Sequence, residues 1–244
     1  MAPDGSSTAD PTATPATRPA LRLGALLRKD LLLEWRRKEQ LAAMGAFTLL
    51  AATLFVFAVD PSPTELSRLA PGALWISFLF AGTLGLAKTF GPEERSGALT
   101  ALLLAPVDRT GLFLAKAASA AIFMGIMEAL MAPVFFALFD LPLLPILPRF
   151  ALVAGLATAG FCLIGTLVAF AAARAAAREL LLPLLLLPLV LPLLIAAART
   201  TRILLEGPEG PAAESLPLWL ALMAAFDVIF GVLCCWGFER AVEE

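Results

Sequence analysis

The chain has 244 residues, of which 60% are apolar and 16% charged, and its net charge is -2. Soluble domains carry about 25% charged and roughly 45–50% apolar residues, so this composition needs lipid as its solvent. The near-neutral balance excludes a bulk basic field for nucleic acid, and the absence of histidine excludes a histidine-based proton relay or a histidine metal site.

The first segment, residues 1–20, is rich in Pro, Ala, Ser and Thr. It lacks the basic start and apolar run of a secretory signal and is expected to be a disordered tail. Residues 21–40, "LRLGALLRKDLLLEWRRKEQ", place Leu23, Leu26, Leu27, Leu31 and Trp35 at three- and four-residue steps, with Arg28, Lys29, Arg36 and Arg37 largely off that face. That pattern predicts an amphipathic helix lying in the inner interface; an ordinary extension of the first span is the alternative.

A spanning helix needs about 20 mostly apolar residues. Six runs qualify: Leu41–Val59, Pro71–Phe90, Leu112–Phe139, Phe150–Ala173, Leu180–Ala198 and Leu216–Phe238. The predicted fold is an all-α polytopic membrane protein with a six-span domain over residues 41–238 and a short cytoplasmic tail at 239–244. The third run is long enough to tilt or to kink at Pro133. The fifth contains Pro183, Pro188 and Pro192, each of which removes a backbone donor, so this span is expected to be bent or broken. A re-entrant pair is the alternative.

With the N-terminus inside, the inner loops and span ends carry Arg22, Arg28, Lys29, Arg36, Arg37, Lys38, Lys88, Arg95, Arg109, Lys116, Arg174, Arg178 and Arg240. The outer ones carry Arg68, Arg149, Arg199 and Arg202. The excess of positive charge inside predicts cytoplasmic termini.

By this topology "GPEERSGALTALLLAPVDRTGLFLAK" faces the cytoplasm. Pro92 suits the first turn of a helix, Glu93 and Glu94 sit near its positive end, and Ala105-Pro106 stops it. The prediction is a short coupling helix with charges clustered at its ends, and Glu93, Glu94, Arg95, Asp108 and Arg109 are the candidate contacts with a motor protein. A solvated charged loop is the plain alternative.

Glu128 falls near the middle of the third span and Asp227 near the middle of the sixth. Ionisable residues at such depth are functional candidates by default; hydrogen bonds to hydroxyls across helices are the structural alternative. Cys162, Cys234 and Cys235 lie in apolar runs without metal-ligand spacing and read as small buried hydrophobes. Trp75, Trp219 and Trp236, near span ends, are expected to be interfacial anchors.

The order Glu93-Glu94, Gly97 to Leu104, "APVDR" at Ala105–Arg109 and then Lys116 resembles the coupling segment of type-2 ABC exporter permeases. The stretches "RKDLLLEWRRKEQLAAM", "LAPGALWISFLFAGTLGLAKTF", "LLLAPVDR", "FFALFDLP" and "RELLLPLLLLPLVLPLLIAAART", in that order, narrow the resemblance to the CcmB family of haem-export permeases. The resemblance implies an inner-membrane subunit that works with the ATPase CcmA, with CcmC and CcmD, and indirectly with the haem chaperone CcmE in cytochrome c maturation. Haem is the substrate it implies. Six spans are half of a usual exporter pathway, which favours a homodimer or pairing with other subunits. No G-x-x-x-x-G-K-[ST] loop occurs in the sequence, so ATP belongs to a partner and the chain itself is expected to be no enzyme. The chain holds no cofactor or metal that its residues indicate. Arg199 and Arg202, read as an outer loop, could meet haem propionates, although interfacial anchoring explains them as well. Two alternatives remain: a scaffold that passes ATPase strokes to the release of loaded chaperone without translocating haem, and a type-2 exporter for another substrate.

Overall fold

The computed structural model describes residues 38–59, 63–86, 108–173, 178–207, 210 and 212–243. The expected tail, most of the amphipathic segment at 21–40, and the coupling helix with Glu93, Glu94 and Arg95 lie outside the described residues.

Among the described residues there are six long helices and no strand. They are α1 (Lys38–Val59), α2 (Pro63–Leu86), α3 (Arg109–Leu138), α4 (Leu147–Ala173), α5 (Arg178–Glu206) and α6 (Leu216–Glu243), with single 3-10 turns at Leu144–Ile146 and Ala213–Ser215. Five of them, α2 to α6, are long and apolar enough to cross a membrane, and the apolar stretch of α1, Ala42–Phe57, is shorter. The chain is a multi-pass membrane protein.

Local chemistry sets the helix ends. Asp108 caps α3: its carboxylate accepts from the Gly111 N–H at 3.0 Å, satisfying one of the four donors a helix start leaves open. The same helix ends on Asp140, whose φ of 51° is left-handed. There Asp140 N–H donates to Ala137 O at 3.2 Å and Leu141 N–H to Phe136 O at 2.9 Å, the paired bonds of a Schellman motif. Gly207, at φ 82°, ends α5 in the same conformation. Inside the helices, Thr48, Ser77, Thr83, Thr200 and Thr201 turn their hydroxyls onto carbonyls four residues back, so these polar groups need no partner from lipid.

Two expectations about α5 change. The helix runs unbroken through Pro183, Pro188 and Pro192, which removes the broken and re-entrant readings. Arg199 and Arg202 stand on its last turns rather than in a loop, and Arg202 Nε pairs with Glu206 at 2.8 Å along the helix. Likewise α3 is continuous through Pro133.

The core centres on α4, which packs against α2, α3, α5 and α6. Phe47 of α1 meets Phe80 of α2 at 5.7 Å. Trp75 of α2 is buried, not an interfacial anchor: its indole N–H donates to Thr201 Oγ1 of α5 at 3.0 Å, and Phe78 beside it stacks edge-on against Phe161 of α4 at 5.1 Å. Trp236 on α6 does face outward, with the Arg240 guanidinium 5.7 Å from its ring. Lys116, counted among the inner-side charges and lying in the expected third span, is buried within α3.

The pair α4 and α6 runs parallel. Gly160 of α4 lies against Asp227 of α6, Leu163 reaches toward Gly231 and Leu167 toward Gly237, so residue numbers rise together along the seam. Small residues let membrane helices approach this closely, and association there rests on van der Waals packing.

Candidate functional site

Both acids singled out in the membrane converge on one turn of α4, from opposite sides. Thr158 and Gly160 are two residues apart, about 200° around a helix of 3.6 residues per turn. Thr158 faces α3, where its hydroxyl donates to Glu128 Oε2 at 2.6 Å. Gly160 faces α6, where a Cβ would collide with the Asp227 carboxylate and come within 2.7 Å of Leu193 of α5.

The two environments differ in what they offer. Neither carboxylate oxygen of Asp227 has a hydrogen-bond partner among the described residues, and both are buried. Thr166 Oγ1, further along α4, is also buried without a partner. Glu128 has its bond from Thr158 and lies between two spaces. On one side is a narrow pocket of about 50 Å³ among α1, α2 and α3, lined by Met44, Phe78, Met124 and Met131. On the other is a groove of about 870 Å³ between α3 and α4, lined almost wholly by Ala, Gly, Leu and Phe with Glu128 and Thr158 as its polar floor. A charged side chain at the centre of a membrane helix costs about 2.5–3.5 kcal/mol on insertion scales. The one bond from Thr158 offsets part of this for Glu128; Asp227 has no comparable bond.

The end of the bundle that bears Asp108 forms a second candidate region. Asp108 and Arg109 are both exposed at the start of α3. Within the first turn, Thr110 Oγ1 donates to the Glu239 carboxylate near the end of α6. Beneath it Phe238 of α6 packs on Phe113 of α3 at 5.3 Å and on Phe170 of α4 at 4.7 Å. The start of α3 and the ends of α4 and α6 are therefore fastened together at the point where the described chain resumes with Asp108. Of the five predicted coupling residues, the structure places Asp108 and Arg109 here and assigns Asp108 a definite job as a cap.

Sequence reading missed Thr158 and Gly160, the residues of α4 that receive the two acids. Their signal was faint, since a Thr and a Gly in an apolar helix are ordinary. It also missed Glu239, whose partner Thr110 is distant in sequence. More legible were Ala121-x-x-x-Gly125-x-x-x-Ala129 and Ala151-x-x-x-Gly155-x-x-x-Ala159, two runs of small residues at helix-packing spacing that line the same groove.

Among known proteins, heme exporter protein B of Paracoccus denitrificans (strain Pd 1222) is 38% identical over 118 residues, covering 48% of this chain and 54% of that protein. Heme exporter protein B of Pseudomonas aeruginosa is 33% identical over 117 residues, 48% of this chain and 52% of the relative. The Escherichia coli (strain K12) protein of the same name is 32% identical over 91 residues, 37% and 41% of the two chains. The chain spans about half the length of the curated relatives it matches. The model of the CcmB protein family, by contrast, matches residues 21–244. A match of that extent, on a bundle of membrane-length helices, places this chain in the CcmB family.

Proposed function

We propose that this chain is the permease-like membrane subunit of an ABC complex that acts in haem export and delivery to a periplasmic haem chaperone for cytochrome c maturation. The observation that carries the reading is the family match over residues 21–244, together with relatives named heme exporter protein B in several bacteria. The sequence has no nucleotide-binding P-loop, so ATP hydrolysis falls to a separate subunit, CcmA in the family's terms. CcmC and CcmD are the membrane partners in this reading and CcmE the chaperone. The chain sits in the inner membrane with six spans and both termini in the cytoplasm, and a homodimer supplies two half-pathways.

In this reading Glu93, Glu94, Arg95, Asp108 and Arg109 meet the ATPase. The fastening of Thr110 to Glu239 and the Phe113, Phe170 and Phe238 cluster support it. A push on the segment before Asp108 reaches α3, α4 and α6 together instead of being absorbed in a loose joint. The scaffold version, in which strokes release loaded chaperone and no haem crosses this chain, is favoured by one observation. The sequence has no histidine, so a histidine axial ligand for haem iron must come from elsewhere.

The test is deletion of the gene in its own host, with wild type and variants returned on a plasmid. Holo-cytochrome c and haem-loaded chaperone are then measured, alongside ATPase activity of the co-purified complex. The expected result is loss of c-type cytochromes on deletion and recovery with wild type. Normal cytochrome c levels without the gene would overturn the reading. For the coupling residues, E93A/E94A in combination with Asp108→Asn is the informative variant, because Asn keeps the helix cap while removing the charge. Loss of stimulated ATPase activity with the chain still present in the membrane supports docking through these charges. Unchanged activity refutes it.

A further inference from the structure

The groove between α3 and α4 is built in a way that this chain's own packing does not explain. Its walls are Ala121, Gly125 and Ala129 on α3 and Ala151, Gly155 and Ala159 on α4. Elsewhere in the bundle a glycine makes room for a neighbour: a Cβ on Gly82 would lie 2.7 Å from Met124 and Phe161, and one on Gly165 would strike Leu86. At Gly125 and Gly155 a Cβ would meet nothing within 4 Å among the described residues. Both walls are therefore kept small facing open space.

The floor of the groove is polar. Glu128 lines it, takes its hydrogen bond from Thr158 through Oε2, and has no partner for Oε1 among the described residues. Intramembrane acids commonly pair with a cation at their own depth, and the described residues bring none to Glu128. The groove runs from Ala121 to Ala137 along α3, about 24 Å at about 1.5 Å per residue, which matches most of the thickness of a bilayer core. Within it the two small-xxx-small runs, Ala121 to Ala129 and Ala151 to Ala159, extend about 12 Å each at about 1.5 Å per residue, two turns of wall that accept a helix backbone at close range. A lipid acyl chain would fill the same space and leave the carboxylate without a donor.

We propose that the groove between α3 and α4 seats a transmembrane helix of another polypeptide, one that presents a lysine or arginine at the depth of Glu128. The small walls supply the close packing and the carboxylate supplies the register, since one ion pair in an apolar interface fixes how far the helix slides. A second copy docked groove to groove would bring two Glu128 carboxylates together, and the charge pattern argues against it.

The test uses the full chain in cells that make its natural complex, with a photo-crosslinking amino acid at Ala129, an exposed position on the groove wall. Mass spectrometry then identifies the joined peptide. The expected adduct is a membrane-spanning peptide with a Lys or Arg inside its apolar run, reduced at least tenfold by Gly155→Leu and by Glu128→Lys. Changing the partner's cation to Glu restores the adduct with Glu128→Lys. If Glu128→Lys does not accumulate in the membrane, Gly155→Leu still decides, because its side chain enters open space and leaves Glu128 intact. The proposal fails if the adduct forms only with lipid, with a second copy of this chain, or with a peptide lacking such a cation. It also fails if no adduct forms or if Gly155→Leu leaves the adduct unchanged.

Discussion

The two sides of α4 carry the same chemical device in opposite settings. Toward α6 the seam is closed: Gly160 is filled by Asp227, Leu163 and Leu167 reach the glycines of α6, and the carboxylate has no hydrogen-bond donor among the described residues. Toward α3 the seam is open: Thr158 supplies a donor to Glu128, while Gly125 and Gly155 face empty space. A glycine in a membrane helix thus has two uses, to let the chain's own neighbour in or to leave a place for something else. Which use applies depends on what a Cβ would meet, a fact that only the three-dimensional packing supplies.

The largest expected effect comes from closing what is already closed. Gly160→Leu drives a side chain into Asp227 and Leu193, and overpacking of this kind costs about 1–3 kcal/mol or more. Gly155→Leu, on the open side, is expected to leave the isolated chain's stability within about 0.5 kcal/mol. Thermal unfolding of both variants in one detergent checks the contrast, and equal losses would break it. Next, Asp227→Val removes an unsatisfied buried carboxylate and is expected to raise stability by about 1–3 kcal/mol. Export activity read on the same variant sharpens the comparison. A more stable protein that no longer supports the proposed haem delivery would make Asp227 a working group, and a more stable active one would make it dispensable. Thr158→Val, which takes the donor from Glu128, is expected to lower stability by about 1 kcal/mol, with no such loss for Val in place of Thr at an exposed position. The smallest contrast is at the bundle's end. Asp108→Ala is expected to cost about 1 kcal/mol through loss of the α3 cap, and Asp108→Asn only a few tenths. A stability difference between Ala and Asn assigns the residue to the cap, and an activity defect in Asn assigns it to its charge.

The helices were legible in the sequence because lipid demands a long apolar run, and such runs stand out: the boundaries of α3, α4 and α6 lie within a few residues of the expected spans. Glu128 and Asp227 stood out for the same reason. The partners of those acids did not, because Thr158 and Gly160 mean something only once α4 is set between α3 and α6. Trp75 was misread as an anchor because its place near a span end suits one, while its buried indole depends on Thr201 arriving from a distant helix. Arg199 and Arg202 read as loop because apolar residues thin out there, yet α5 continues to Glu206. Lys116 was counted only as an inner-side charge near the start of the third span, and its burial in the packed end of the bundle is set by the helices around α3.

The unbroken course of α5 has a mechanical consequence. Pro188 lacks the N–H that would hold the carbonyl of Leu184, and Pro192 lacks the one for the carbonyl of Pro188. Two rungs one turn apart are missing from the ladder that makes a helix stiff, so the continuity of this stretch leans on α2, α4 and α6 packed around it. In elastic terms α5, with three prolines inside it against one each in α2 and α3, is the most compliant rod of the frame. When α4 shifts against its neighbours, the strain concentrates between Leu184 and Pro192, where bending breaks the fewest bonds.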